Sequence, residues 1–225
     1  MIATRPFPFK AVIFDMDGVI VDSEICYKEE MRAFAAHLGI EVGEDELNAQ
    51  VGASYQDFVR LIADWFSRSG TSCSPEEGLA DFRTWAAGNP PFDYATLLNP
   101  GVRETLEELR ARGVRTALAS SSPMESIEEV LSACDLAGLF EVVVSGEQFR
   151  QSKPNPEIYL HTLDLLGLPA RACCCVEDSV PGITAGLAAG LTVFAKREER
   201  FGYSQDAATA IIDQIPDLLT AAERL

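Results

Sequence analysis

The sequence predicts an α/β protein in which a parallel sheet covered by helices is interrupted early by an all-α insert. Two observations lead there. Short apolar runs recur along the chain: AVIF at 11–14, VRTALA at 114–119, EVVVS at 141–145, ACCCV at 172–176 and LTVFA at 191–195. Continuous apolar runs of this length mark strands buried on both faces, and each is followed by a segment with helical spacing, the pattern of βαβ units. The second observation is a gap, because the first run ends at 14 and the next begins at 114. That is far more chain than one crossover helix needs.

Taken in order, the elements support this division. The first strand ends in Asp15-Met16-Asp17-Gly18. Within the gap, residues from Ile25 to Leu38, and then Phe58, Leu61, Ile62, Trp65 and Phe66, repeat at helical spacing. Ser74-Pro75-Glu76-Glu77 has the pattern of a capping box. With no β-rich run in sight, the insert reads as a helical domain over 24–95, set into a core of 1–23 and 96–225. Hinges are expected at Gly18–Ser23 and across 88–101, where Gly, Asn and Pro cluster. Beyond it, Val102, Leu106 and Leu109 share a helix face that Gly113 ends. Ser122-Pro123-Met124-Glu125 reads as a second capping box with Pro at the first helical position, and Asn155-Pro156-Glu157 as a similar start.

Composition narrows the function. The 225 residues are 47% apolar with a mean hydropathy of +0.05, and 18 cations against 35 acids give a net charge of −17 and a pI near 4.4. A core of ordinary size is affordable, and such a charge disfavours nucleic acid or an anionic lipid surface as partner. No apolar run approaches the ~20 residues of a membrane span, and the first residues lack the apolar stretch of a signal peptide. A cytoplasmic protein acting on a small molecule, with no membrane partner and as a monomer, is expected. Six cysteines are too few for a disulfide scaffold. Cys173, Cys174 and Cys175 are adjacent on a strand, where successive side chains face opposite ways, so they cannot converge on one metal and read as buried thiols.

In open α/β sheets the ligand sits beyond the carboxyl ends of the strands. The residues at those ends are polar as a set: Asp15 and Asp17, then Ser120, Ser121 and Ser122, then the loop carrying Lys153, then Glu177 and Asp178. A single acid there usually caps a turn, and a single lysine is usually solvated. Four acids gathered on one edge repel one another unless they share a cation. Oxygen donors without His or Cys suit Mg²⁺ or Ca²⁺, and a site that keeps waters and adds a phosphate oxygen points to Mg²⁺. Lys153 and the Ser120 hydroxyl would complete a phosphate pocket. Rival chemistries lack parts, since His37 and His161 lie in helical patterns and neither GxGxxG nor a P-loop occurs. The glycines of PGITAGLAAG, spaced by four, suit close helix packing.

These segments resemble the haloacid dehalogenase superfamily: AVIFDMDGVIVDSE at 11–24, ALASSS at 117–122, KPNPEIY at 153–159 and VEDSVPGITAGLAAGL at 176–191. The resemblance spans the chain. It implies a Rossmann-like core with a helical cap, and it makes Asp15 a nucleophile that forms an aspartyl-phosphate and Asp17 a general acid/base. It further implies that Ser120, Ser121 and Lys153 hold the phosphoryl group. Mg²⁺ would be bound by Asp15, the Asp17 carbonyl, Asp178 and Glu177, the last directly or through water. Within the family the sequence resembles the branch of sugar phosphatases and β-phosphoglucomutases. The mutases carry a cap His near the position of Tyr27 and an Arg near Tyr55, which favours a phosphatase over a phosphosugar mutase. The cap holds five cations against thirteen acids, and Arg83 is the candidate cap contact for substrate. A true dehalogenase would lack the second acid, and a non-catalytic relative would have lost part of the set.

Overall fold

The computed structural model describes residues 6–225 apart from 52 and 54. Six parallel strands form one sheet: β1 (Ala11–Phe14), β2 (Arg115–Ser120), β3 (Val142–Ser145), β4 (Cys173–Glu177), β5 (Thr192–Lys196) and β6 (Ala210–Ile212), in the order β3-β2-β1-β4-β5-β6. The fold class is the one expected, a Rossmann-like α/β core with a helical segment between β1 and β2. Alternation along the strands explains why the runs are apolar throughout. Ile13, Ala117, Cys175 and Val193 pack with Tyr159, Leu163 and Ile183 of covering helices on one face. Their neighbours Phe14, Leu118, Cys174 and Phe194 point the other way and are equally buried.

The chain falls into two compact units, one built from residues up to Asp22 together with Tyr94–Leu225, the other from Ser23–Asp93. The elements described in the second unit are helices: α1 (Glu24–His37), α2 (Glu44–Asn48), α3 (Tyr55–Arg68) and α4 (Pro75–Ala86). They close over Phe34, Ile62, Trp65 and Phe82. The Phe34 ring meets those of Phe82 and Trp85 at centroid distances of 5.0 Å, and the Trp65 indole N–H donates to Glu46 at 2.7 Å. The Ser74 capping box forms as its sequence predicts, with Ser74 Oγ accepting from Glu77 N and Glu77 Oε2 from Ser74 N. No helix among the described residues is long and apolar enough to cross a membrane.

The first unit is completed by α5 (Tyr94–Leu97), α6 (Val102–Ala111), α7 (Met124–Ala133), α8 (Glu157–Leu166), α9 (Val180–Ala188) and α10 (Asp217–Ala222). One expected cap is different. Helix α7 begins at Met124, and Pro123 stands at its N-cap position with an extended ψ of 150°. The Ser122 hydroxyl donates instead to Asp17 Oδ2 at 2.9 Å, and Glu147 Oε2 accepts from Met124 N at 3.3 Å. A proline cannot lend a side-chain acceptor, so the helix borrows one from a neighbouring loop. Helix α8 likewise begins one residue after its proline, with Pro156 at the N-cap position, though the expected Asn155 does serve its start, Oδ1 accepting from Glu157 N at 2.9 Å.

Candidate active site

Strand order reverses around β1, so its carboxyl end and that of β4 flank the crevice where open α/β sheets bind ligands. Register brings the acids together. Phe14 is level with Val176 and with Leu118, and the Asp15 N–H continues the ladder to Val176 O at 3.0 Å. Asp15 therefore stands beside Glu177 and Asp178, and one carboxylate oxygen from each of these three buried acids lies within 4.8 Å of the others.

Lys153 enters from the loop before α8. Its Nζ donates to Asp15 Oδ1 and Glu177 Oε1, each at 2.7 Å, and to Ala119 O at 3.0 Å, and it is 7% exposed. Three donors meet three acceptors, so the ammonium is saturated and fixed. Beneath it lies Tyr159, its ring centroid 5.1 Å from Nζ and its hydroxyl donating to Glu177 Oε1. Burial pushes the Tyr159 hydroxyl well above its ordinary pKa, so it stays a donor. Sequence reasoning assigned Tyr159 no part, and its signal was only that it shares the inward face of α8 with Ile158, Thr162 and Leu163.

One ammonium does not balance these acids. Burial, joined by the charges of Glu177 and Asp17, pushes the Asp15 carboxyl up to about 7 against the pull of Lys153. Burial works against the Lys153 ammonium, but the Asp15 and Glu177 charges outweigh it and hold it protonated. The site is short of positive charge, which is what a bound divalent cation would supply. Its donors are all carboxylate oxygens, the set that suits a hard divalent cation such as Mg²⁺ or Ca²⁺.

Glycines shape the walls. Gly18 turns the chain after Asp17 with φ +77°, and a Cβ there would lie 1.9 Å from Asp178 Oδ2. A Cβ on Gly182, in the first turn of α9, would lie 1.9 Å from Glu177 Oε2. One on Gly186 would meet Cys175 Sγ at 2.7 Å, so the expected close packing of that segment holds, and Gly182 extends it to an acid of the site. Ser120 is buried at the end of β2 with its Oγ accepting from Ser122 N at 3.1 Å, and Ser121 Oγ accepts from Ser152 Oγ at 3.2 Å. Asp17 Oδ2 accepts from Ser122 Oγ at 2.9 Å, and the Asp17 charge acts on Asp15. Arg83 lies on α4 of the other unit, donating to Tyr55 Oη at 3.2 Å.

A buried aspartate at the end of β1, a second two residues on, a lysine held by the first and an acid pair ending β4 occur in the order of a known family. Its model, described as haloacid dehalogenase-like hydrolase, matches residues 9–190. The chain belongs to the haloacid dehalogenase-like hydrolases. It is 33% identical over 184 residues to a phosphorylated carbohydrates phosphatase of Thermotoga maritima, covering 81% of this chain and 82% of the relative. It is 32% identical over 187 residues to hexitol phosphatase B of Escherichia coli, covering 83% and 82%. A solved β-phosphoglucomutase from Clostridium difficile matches with a TM-score of 0.76 over 96% of this chain and 97% of that one, at 21% identity, a likeness of fold alone. A solved β-phosphoglucomutase-like protein of Thermotoga maritima matches at 29% identity with a TM-score of 0.72 over 96% of this chain and 99% of that one, and with the two phosphatases it puts the hydrolase in the branch of sugar phosphatases and β-phosphoglucomutase-like proteins.

Proposed function

We propose that this hydrolase is a Mg²⁺-dependent phosphatase that cleaves a small phosphorylated metabolite, a sugar phosphate, through an aspartyl-phosphate on Asp15. The observation that carries this reading is the Asp15 carboxylate, buried, held at 2.7 Å by Lys153, and within 4.8 Å of Glu177 and Asp178 oxygens. Asp15, Glu177 and Asp178 would hold the cation, which when bound draws charge from the phosphoryl oxygens and orients them.

The residues of the chain do the rest. An Asp15 carboxylate oxygen attacks phosphorus, and the bond from phosphorus to the ester oxygen breaks. Asp17 gives its proton to the departing oxygen. It then takes a proton from water, whose oxygen attacks the aspartyl-phosphate, releasing inorganic phosphate and restoring Asp15. The hydrogen bond from Ser122 to Asp17 Oδ2 fixes the carboxyl that must carry that proton in both directions. Lys153, Ser120 and Ser121 hold the transferring group, with Lys153 countering charge that grows on its oxygens. The Ser23–Asp93 unit is the counterpart of the helical cap that the family resemblance implies, and Arg83 is its candidate substrate contact.

The phosphatases of Thermotoga and Escherichia coli support the substrate class. Tyr27 and Tyr55, standing where mutases carry His and Arg, support water as acceptor. The test is a panel of sugar and polyol monophosphates with Mg²⁺, following free phosphate, together with β-glucose 1-phosphate with and without glucose 1,6-bisphosphate. Stoichiometric phosphate release without the bisphosphate, abolished by EDTA, is expected. Bisphosphate-dependent glucose 6-phosphate formation far exceeding phosphate release would overturn it in favour of a mutase.

A further inference from the structure

Asp178 lies at the junction of strand β4 and helix α9. Strand β4 ends at Glu177, and α9 begins after Ser179, whose side chain accepts from Gly182 N. A buried main-chain carbonyl needs a hydrogen-bond donor. That of Asp178 finds one in a side chain far along the chain, for Gln205 Nε2 donates to Asp178 O at 2.5 Å.

The rest of the Gln205 amide is also committed. Nε2 donates to Lys196 O at 2.7 Å, and Oε1 accepts from Glu198 N at 3.0 Å. Gln205 is 5% exposed, and both donor hydrogens and the acceptor are taken by main chain. It thereby ties the end of β4 to the end of β5, strands already in register with Glu177 opposite Ala195. The loop it closes is itself stiffened. Glu198 accepts from the Arg200 N–H at 2.7 Å and from its guanidinium, which also donates to Asp22 Oδ1 and Oδ2 at 2.6 and 3.1 Å.

We propose that Gln205 is a positioning residue for the metal-side acid Asp178, and that the loop from Lys196 to Gln205 is the brace that holds that acid in place. The brace fixes the Asp178 backbone from one side, while the Gly18 turn sets how closely its carboxylate can approach β1. An acid whose main chain is held this way meets the cation without first losing conformational freedom, the service that groups behind a metal ligand commonly provide. The inference rests on the reading that Asp15, Glu177 and Asp178 hold a divalent cation.

The test is Mg²⁺ titrated calorimetrically into the chelator-freed protein and into Gln205→Leu, which keeps the bulk and loses all three hydrogen bonds. Melting in EDTA reports whether each is folded. The expected result is a folded variant whose Mg²⁺ affinity falls by about tenfold or more, as is usual for residues behind a metal ligand. Its KM for the phosphate ester at saturating Mg²⁺ should stay near that of the parent. A folded variant whose Mg²⁺ affinity lies within about twofold of the parent overturns the brace and leaves the metal reading standing. Binding by neither protein overturns both. Should Gln205→Leu not fold, the Gln205 side-chain amide is followed by NMR in the unsubstituted protein. Shifted resonances and slower hydrogen exchange on saturation with Mg²⁺ support the brace, whereas an amide unmoved while the Asp178 N–H responds overturns it.

Discussion

In the proposed mechanism Asp15 is the group that reacts and Lys153 the group that holds. Asp15→Asn leaves size and most hydrogen bonding intact but removes the nucleophile, so turnover should fall below detection while the protein stays folded; a stopped assay of phosphate release against melting temperature checks both. Lys153→Met should lose activity by several orders of magnitude, because it leaves Asp15 and Glu177 buried with no ammonium between them. The Asp15 pKa carries a pH signature. It rises from an ordinary value near 3.8 to about 7 in the folded chain without a cation. The folded form thus keeps a proton that the unfolded form gives up, and this group's contribution to stability is full below about pH 4 and lost as pH climbs to about 7. Lys153, raised, keeps its contribution across that window. Because Mg²⁺ takes the ionised carboxylate, the melting temperature should rise more on adding Mg²⁺ at pH 8 than at pH 5; equal rises would count against Asp15 as a ligand.

At the scale of elements, the four sequence segments became one site because strand ends do the gathering. What was legible was whatever periodicity or a strand end could mark: five of the six strands, the insert's helices apart from the five-residue α2, and each acid by its place after an apolar run. The rest lacked a local signature. Strand β6 is three residues long and pairs with β5 alone, too short to show a period. Ser122 has the local pattern of a cap, yet its hydroxyl goes to Asp17, a partner 105 residues away that no local pattern contains. Gln205 sits in a loop, where nothing nearby records that it reaches Asp178. The glycines of α9 read correctly as packing residues, but that one packs on Glu177 shows only in the folded chain. Gly182→Ala should therefore act on chemistry as well as on stability. The added methyl cannot share space with the Glu177 carboxylate, so that carboxylate must move away from Lys153 and from the acids beside it. A loss of Mg²⁺ affinity and of kcat is expected, read by the metal dependence of phosphate release. In the other unit, Ser74→Ala removes one partner of a capping box and should cost about 1 kcal/mol in denaturant unfolding without altering the core.

For the whole molecule the governing quantity is a net charge of −17 on a protein whose proposed substrate is an anion. Many of its cations are already spent. Arg32 pairs with Glu29 and Glu44, Arg68 with Glu46, Arg112 with Glu108 and Glu223, Arg115 with Glu141, Arg197 with Asp213, and Arg200 with Asp22 and Glu198. Lys153, inside the site, faces two carboxylates. Close in, a bound cation and Lys153 offset the acids, but at several ångströms the approaching phosphate ester meets the field of the whole chain, which is negative. That field is damped over about 8 Å at 0.15 M salt and reaches much further at low salt. With Mg²⁺ held saturating, raising KCl from about 0.01 to about 0.15 M should therefore increase kcat/KM for an anionic ester while leaving kcat nearly unchanged, since the chemistry lies within the close-range field. An enzyme that draws its substrate in by charge shows the opposite slope. A steady fall in kcat/KM over this range would mean that local cations outweigh the charge of the molecule as a whole, and Arg83, the proposed substrate contact, would be the first to substitute.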